Sequence, residues 1–129
     1  MAFHDDWLIR QINVVTESIG RLLFNTSAPK YHEKEEHNSA EVDKCAQAID
    51  ALLLEKRVGD AEDLLFTSLD PDNRECLLLG LDFYSRLNAM SDARLKEAGF
   101  SREEIDEGLR DVVDQFGLSS VLPQDHLQY

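Results

Sequence analysis

The chain has 129 residues, of which 43% are apolar and 30% are charged, and this composition excludes an intrinsically disordered protein. Its formal net charge of -13 comes from 26 acidic and 13 basic side chains. Such a charge repels a phosphate backbone and an anionic lipid surface, so neither nucleic acid nor a membrane is expected as a partner. The length predicts one domain covering residues 1–129.

The cysteines and the first residues point to a cytoplasmic protein. Cys45 and Cys76 form no Cys-x-x-Cys pair and have apolar neighbours at helical spacing, so we expect reduced thiols in the core. The sequence Met-Ala-Phe-His-Asp-Asp carries acids where a secretory signal has bases, and no stretch approaches transmembrane length. We therefore expect a cytoplasmic location.

The first predicted helix runs from Trp7 to Phe24. Its apolar residues step by four and three and form one stripe, while Trp7 and Val14 form a smaller patch beside it. The stripe is expected to close the core. The sharper hypothesis is that one of the two patches, anchored by Trp7, contacts a second subunit or another protein. The residues assigned to this interface are Trp7, Leu8, Ile12, Val15, Ile19 and Leu22.

Residues 25–38 have no apolar period, contain Pro29 and are mostly polar, so they are predicted to form a surface connection. His32 and His37 lie in this segment, five residues apart. Zinc peptidases carry two histidines four apart on a helix. A spacing of five turns the two imidazoles roughly 140° apart on a helix, so we expect no metal site here.

The second predicted helix has Asn38 as a cap and is expected to end at Gly59. Asp60 is expected to cap a short third helix, which ends before the turn Asp-Pro-Asp-Asn at 70–73. The fourth, from Arg74 to about residue 90, is apolar over most of its circumference and should be central.

Glycines and capping residues mark the remaining elements. Gly80 in the fourth helix permits a close crossing by a neighbour, and a short fifth helix begins at Ser91. Ser101 and Glu104 fit a capping box, so a sixth helix is predicted from there to Gly117. From about residue 118 the chain is predicted to be a loosely held tail.

Six helices joined mostly by short turns predict an all-α fold of antiparallel helix hairpins packed side by side. Two segments resemble the second half of a tetratricopeptide unit and its link to the next unit. They are Gly59-Asp-Ala-Glu-Asp-Leu-Leu-Phe66 and Leu69-Asp-Pro-Asp-Asn73. The resemblance implies tetratricopeptide-like stacking, and an irregular helical bundle is the alternative.

A broader resemblance covers most of the chain. It rests on Asp6-Trp-Leu-Ile-Arg-Gln-Ile12, Ala61-Glu-Asp-Leu-Leu-Phe66 and Gly99-Phe-Ser-Arg-Glu-Glu-Ile105 followed by Gly108-Leu109. These stretches resemble a family of small helical bacterial proteins of unknown function. The resemblance implies a helical fold and no particular activity.

The sequence contains no motif that identifies a catalytic, cofactor-binding or metal-binding residue. Ser85, Ser91 and the cysteines have no motif that would present a base or an oxyanion hole, and the six glycines are scattered singly. We expect a non-enzymatic cytoplasmic interaction or scaffold domain without a cofactor, with a protein partner or self-association. The alternative is a small-molecule-binding domain or an enzyme whose site forms only in the fold.

Overall fold

A computed structural model describes residues 2–35 and 39–122. This part of the chain contains six α-helices and no strand, which confirms the all-α prediction. The helices are α1 (Ala2–Phe24), α2 (Ala40–Leu54), α3 (Val58–Ser68), α4 (Arg74–Asn88), α5 (Asp92–Glu97) and α6 (Arg102–Gln115). A 3-10 turn follows at Ser119–Val121. None of these helices is long and apolar enough to cross a membrane.

Helix α4 lies at the centre of the fold, as its apolar sequence predicts. Helix α4 packs against both α1 and α6, and these two helices also contact each other. Helices α2 and α3 form a pair, and α2 is the member of the pair that contacts α4. Phe83 and Tyr84 are fully buried, with their rings edge to face and 4.9 Å apart. At Gly80 an added Cβ would lie 3.1 Å from Val112 Cγ1, which confirms the predicted close crossing.

The tetratricopeptide-like arrangement is not confirmed. A stack of such units places each helix pair against the next along the chain. Here α2 and α3 do form a pair, but α4 makes its more extensive contacts with α6 and α1. The arrangement is that of a helical bundle with α1, α4 and α6 together and the α2–α3 pair attached.

Several predicted helix ends are confirmed by local hydrogen bonds. The Ser101 side chain accepts from the Glu104 backbone N–H, and the Glu104 carboxylate accepts from the Ser101 N–H, so the capping box is present. Gly99 and Gly117 adopt φ values of +74° and +71° beyond the ends of α5 and α6. Asn38 lies outside the described residues, and Ser39 is the residue that caps α2.

The boundary between α2 and α3 was predicted wrongly. Helix α2 ends at Leu54 and not at Gly59, because Lys56 adopts the left-handed conformation at φ +63°. The N–H groups of Lys56 and Arg57 then donate to carbonyls of the last turn, at 3.0 and 2.9 Å. Asp60 consequently lies in the first turn of α3, where it accepts from Arg57 Nε at 2.8 Å and does not cap the helix.

The connection after α1 is tied to the bundle by polar contacts that its sequence does not reveal. Tyr31 is 8% exposed. Its backbone N–H donates to Asp82 Oδ2 of α4 at 3.2 Å, and its hydroxyl donates to Asp43 Oδ1 of α2 at 2.6 Å. Pro29 is also buried. Within residues 25–35, the segment predicted as a surface connection therefore contributes side chains to the core.

Within the described residues, the start of the predicted tail contacts the bundle. The 3-10 turn contacts α1 and α6, and Leu118 and Leu122 are half-buried against the core. The helical period in the sequence does not predict that these two leucines pack against the core. Residues 123–129 lie outside the described residues.

Arg102 is the buried charge that joins four helices. It is 5% exposed, and its guanidinium donates to Asn88 O and Met90 O at 2.8 Å and to Asp92 Oδ1 at 2.9 Å. Asn88 in turn donates to Ile9 O of α1 at 3.1 Å. Arg102 therefore satisfies carbonyls at the end of α4 and links that end to α5, α6 and, through Asn88, to α1.

Candidate functional site

Of the six residues assigned to the interface, the structure places four in the core and two at least partly on the surface. Four of them are at most 4% exposed: Leu8, Ile12, Val15 and Ile19. Leu22 is 60% exposed, and Trp7 is half-buried. The stripe is thus covered by the chain itself, and Trp7 and Leu22 are the members of the set that reach the surface.

A second apolar row lies on α1 beside the buried stripe. Val14 is 45% exposed and Leu22 is 60% exposed. Val14 follows Trp7 by seven residues and Leu22 follows Val14 by eight, so the three side chains lie within a sector of about 80° on the helix. We call Trp7, Val14 and Leu22 the outer strip of α1.

The charge around the outer strip differs from that of the rest of the chain. Helix α1 carries three acidic and two basic side chains, a net charge of -1, so the other residues carry -12 of the total of -13. Two copies that approach each other along α1 therefore meet less repulsion than the total charge of -13 implies. The outer strip is an apolar row on a long helix that carries little of the net charge.

The two thiols line one pocket of about 310 Å³ between α2, α3 and α4. Both cysteines are buried and free, as the sequence predicts, and Cys76 Sγ lies 3.7 Å from Ser68 O. Burial raises the pKa of Cys45 and of Cys76 above the usual thiol value. Both therefore remain protonated near neutral pH, which makes them poor nucleophiles.

A second pocket, of about 330 Å³, is lined mainly by carboxylates of α3 and α6 around Gly108 and Phe66. The carboxylates are Glu62, Asp63, Glu104, Glu107 and Asp111. The buried hydroxyl of Tyr84 donates to Glu62 Oε2 at 2.5 Å behind them. Among residues 2–35 and 39–122, no three His, Cys, Asp or Glu side chains are grouped so that they could hold a metal ion.

Two carboxyls, the half-buried Glu62 and the buried Asp82, have raised pKa values, so we expect the stability to depend on pH. Burial is the main cause that raises the pKa of Glu62. The hydrogen bond from Tyr84 lowers this pKa, the neighbouring carboxylates raise it, and the net shift is upward. Burial also raises the pKa of Asp82, and the nearby Arg86 and the Tyr31 N–H only partly offset it. The folded chain therefore holds these protons more tightly than the unfolded chain does, and the free energy of unfolding falls as the pH rises above about 4.

We expect this effect in thermal unfolding measured between pH 5 and pH 7.5. The matched control is the double variant Glu62→Gln/Asp82→Asn, in which neither group titrates. The free energy of unfolding of the wild type, measured relative to that of the variant, should be larger at pH 5 than at pH 7.5. The wild type is then comparatively more stable at the lower pH. Parallel pH profiles for the two proteins would contradict the assignment of raised pKa values to these carboxyls.

A third pocket, of about 440 Å³, lies where the C-terminal ends of α2 and α4 meet α3 and α5. Its apolar wall is formed by Leu53, Leu54, Val58, Leu87 and Met90. Its charged rim is formed by Asp50, Lys56, Arg86, Arg94 and Glu97. We call it the end pocket. Three basic and two acidic side chains give its lining a net positive charge in a strongly acidic protein.

Only one of the four histidine side chains lies within the described part of the chain. His32 is exposed on the connection between α1 and α2, and His37 and His126 lie outside the described residues, as does the side chain of His4. The predicted absence of a metal site at His32 and His37 therefore stays a prediction.

No pattern in the sequence predicts the end pocket. Its charged residues come from three helices and a turn, with no spacing that marks them as neighbours. One signal was present in the sequence: Leu54 continues the apolar run at the end of α2, and it is 86% exposed in the fold.

Comparison with known proteins identifies the family of the chain. No curated protein and no solved structure matches the chain. Residues 2–117 match a family described as a family of unknown function, DUF6483, which agrees with the resemblance to small helical proteins of unknown function. Because the match extends from the start of α1 past the end of α6, the chain belongs to the DUF6483 family.

Proposed function

We propose that this chain is a non-enzymatic cytoplasmic protein-interaction domain whose contact surface is the outer strip of α1. The observation that carries the proposal is the exposure of Val14 and Leu22, at 45% and 60%, on a helix whose neighbouring stripe is already buried. Aromatic and aliphatic side chains at such a surface are typical anchors of protein contacts. The two free, buried cysteines are in keeping with a reducing compartment.

The low charge of α1 favours a protein partner, and a second copy of the chain is the first partner to test. Two copies that approach through α1 bring together helices of net charge -1 each, so little of the total charge of -13 opposes their contact. A basic partner would be attracted to the remaining surface as well.

The position of each apolar residue decides which substitution tests the proposal. Ile12 is fully buried, so an aspartate there would unfold the chain and test nothing else. Val14 and Leu22 are exposed, so the double variant Val14→Asp/Leu22→Asp should keep the fold. Leu54→Asp is the matched control, since Leu54 is an exposed leucine on a different helix.

We expect sedimentation velocity at tens of micromolar to show association of the wild type and of Leu54→Asp but not of the double variant. If the wild type is monomeric, affinity capture from its source cell should retain a protein that the double variant loses and Leu54→Asp keeps. Circular dichroism and thermal unfolding establish that both variants fold. A monomeric wild type that captures no such protein would overturn the proposal.

A small-molecule-binding role is the second candidate function. It is supported by the end pocket, whose apolar wall and positively charged rim are unlike the acidic remainder of the surface. Helix α1 does not line that pocket, so the two functions do not compete for the same residues.

A further inference from the structure

The end pocket combines a buried apolar floor with accessible cations. Val58 and Leu87 are each 1% exposed and form its floor, while Leu53 and Met90 are half-buried on its wall. Its volume of about 440 Å³ lies within the range of sites that hold small ligands. Its floor is suited to an aliphatic or aromatic group.

The cations of the end pocket differ in how strongly the protein itself engages them. Arg86 is shared by two carboxylates: Nη1 donates to Asp50 Oδ1 at 2.8 Å, and Nε lies 3.7 Å from Asp82 Oδ1. The positive charge of Arg86 is thus balanced by carboxylates of the protein itself. Lys56 is paired only at the surface, 3.0 Å from Glu97, with both side chains about 60% exposed.

Arg94 is the cation with the weakest engagement. Among the described residues, no carboxylate lies within ion-pair distance of its guanidinium, and the residue is exposed on α5. An exposed ion pair such as Lys56–Glu97 is weak and exchanges readily with another anion. Lys56 and Arg94 are therefore the two cations that an incoming anionic group can engage at the rim.

The backbone at Lys56 gives an independent reason to assign it a role. It occupies the position after the end of α2 at φ +63°, where glycine is the usual residue because a side chain is strained there. A lysine at this position lowers stability, yet it places an ammonium at the pocket rim. Strained residues of this kind are concentrated at binding sites.

We propose that the end pocket binds a small amphipathic anion, with its apolar body against Leu87 and Met90 and its carboxylate between Lys56 and Arg94. A neutral ligand of the same length lacks the second contact, and a cation is repelled by the same two residues. This binding site is distinct from the outer strip of α1, so the failure of either proposal leaves the other standing.

The probe is decanoate, and decanol is its uncharged counterpart. We expect isothermal titration of the full chain to show saturable binding of decanoate below its micellar range, at least fivefold tighter than any binding of decanol. Absence of decanoate binding, or equal affinity for the two compounds, would overturn the proposal.

Two lysines at positive φ provide a matched pair of variants. Lys56 and Lys34 have φ values of +63° and +66°, and only Lys56 lines the end pocket. Lys56→Gly and Lys34→Gly each remove one charge and one strained residue, so each should raise the Tm by about 3 °C. Lys56→Gly should nevertheless weaken decanoate binding about fivefold, whereas Lys34→Gly should change it less than twofold.

The opposite signs of the two effects separate binding from stability. A more stable Lys56→Gly protein that binds decanoate more weakly supports the site, and Arg94→Gln should show the same loss of affinity. Equal affinities of Lys56→Gly and Lys34→Gly would show that the anion is bound elsewhere and would overturn the assignment.

Discussion

Replacing Arg102 by alanine should lower the free energy of unfolding by about 3 kcal/mol, measured by chemical denaturation. The substitution removes donors at 2.8 Å from the carbonyls of Asn88 and Met90, both near the end of α4. It also leaves the buried Asn88 side chain without one of its partners. Asp92, the carboxylate partner, is 77% exposed, so water can solvate it and the loss stays below that of a fully buried ion pair.

Arg57→Ala is the control for this prediction because it removes an arginine whose carboxylate partners are exposed. Arg57 pairs with Asp60 at 2.8 Å and with Glu55 at 3.3 Å, and the three side chains are 54 to 62% exposed. Pairs as exposed as these add little to the free energy of unfolding, because water and salt screen them. If the two alanine variants lost equal stability, Arg102 would not have the joining role assigned to it.

The second large effect is expected for Gly108→Ala on α6. A Cβ at this position would overlap the hydroxyl of Tyr84 and lie 2.5 Å from Glu62 Oε2. Because Tyr84 is fully buried and bonded to Glu62, neither group can move without opening the core or breaking their hydrogen bond. We expect the free energy of unfolding to fall by about 2 kcal/mol in the same denaturation experiment.

Gly59→Ala makes the same chemical change on α3 and should have the opposite sign. Nothing lies within 4 Å of an added Cβ there, and Gly59 is exposed within the helix. Alanine at such a site stabilises by about 0.5 kcal/mol, because it restricts the unfolded chain and favours the helix. Loss of stability in Gly59→Ala, or a gain in Gly108→Ala, would contradict the packing described for these helices.

Local signals in the sequence predicted those features of the fold that depend on neighbours along the chain. The capping box at Ser101 and the central position of α4 follow from residue types a few positions apart, and both are present. The close crossing at Gly80 was also predictable without knowing which helix crosses there, because a glycine, which has no side chain, is visible in the sequence itself.

The end of α2 shows where local reasoning fails. A glycine is the usual residue after a helix, so the sequence predicts that α2 ends at Gly59. In the fold, Lys56 adopts the left-handed conformation three residues earlier, and Gly59 lies inside α3. Residue preference is a weak guide where tertiary contacts and, in our proposal, a binding role favour a strained residue.

The contacts that join distant segments had no signal in the sequence. Tyr31 and Asp82 lie 51 residues apart and meet because the connection after α1 folds back onto α4. The rim of the end pocket likewise forms only when the ends of α2, α4 and α5 come together. Polar residues in such clusters look like ordinary surface residues until the helices are placed.

The outer strip of α1 was predicted in part. The sequence identified α1 as the helix with two apolar patches and named Trp7 as an anchor, and the structure shows which patch is already covered. The stripe through Ile12 and Ile19 fills the core, whereas the row of Trp7, Val14 and Leu22 reaches the surface. The interaction proposal therefore moves from the stripe to the outer strip.

The most direct test of that proposal is photo-crosslinking in the source cell, with a benzoylphenylalanine side chain placed at Leu22 or, as the control, at Leu54. Both positions are exposed, at 60% and 86%, so both should tolerate the substitution. We predict a discrete protein adduct from position 22 and none of the same mass from position 54. No adduct from position 22, or the same adduct from both positions, would contradict a contact surface on α1.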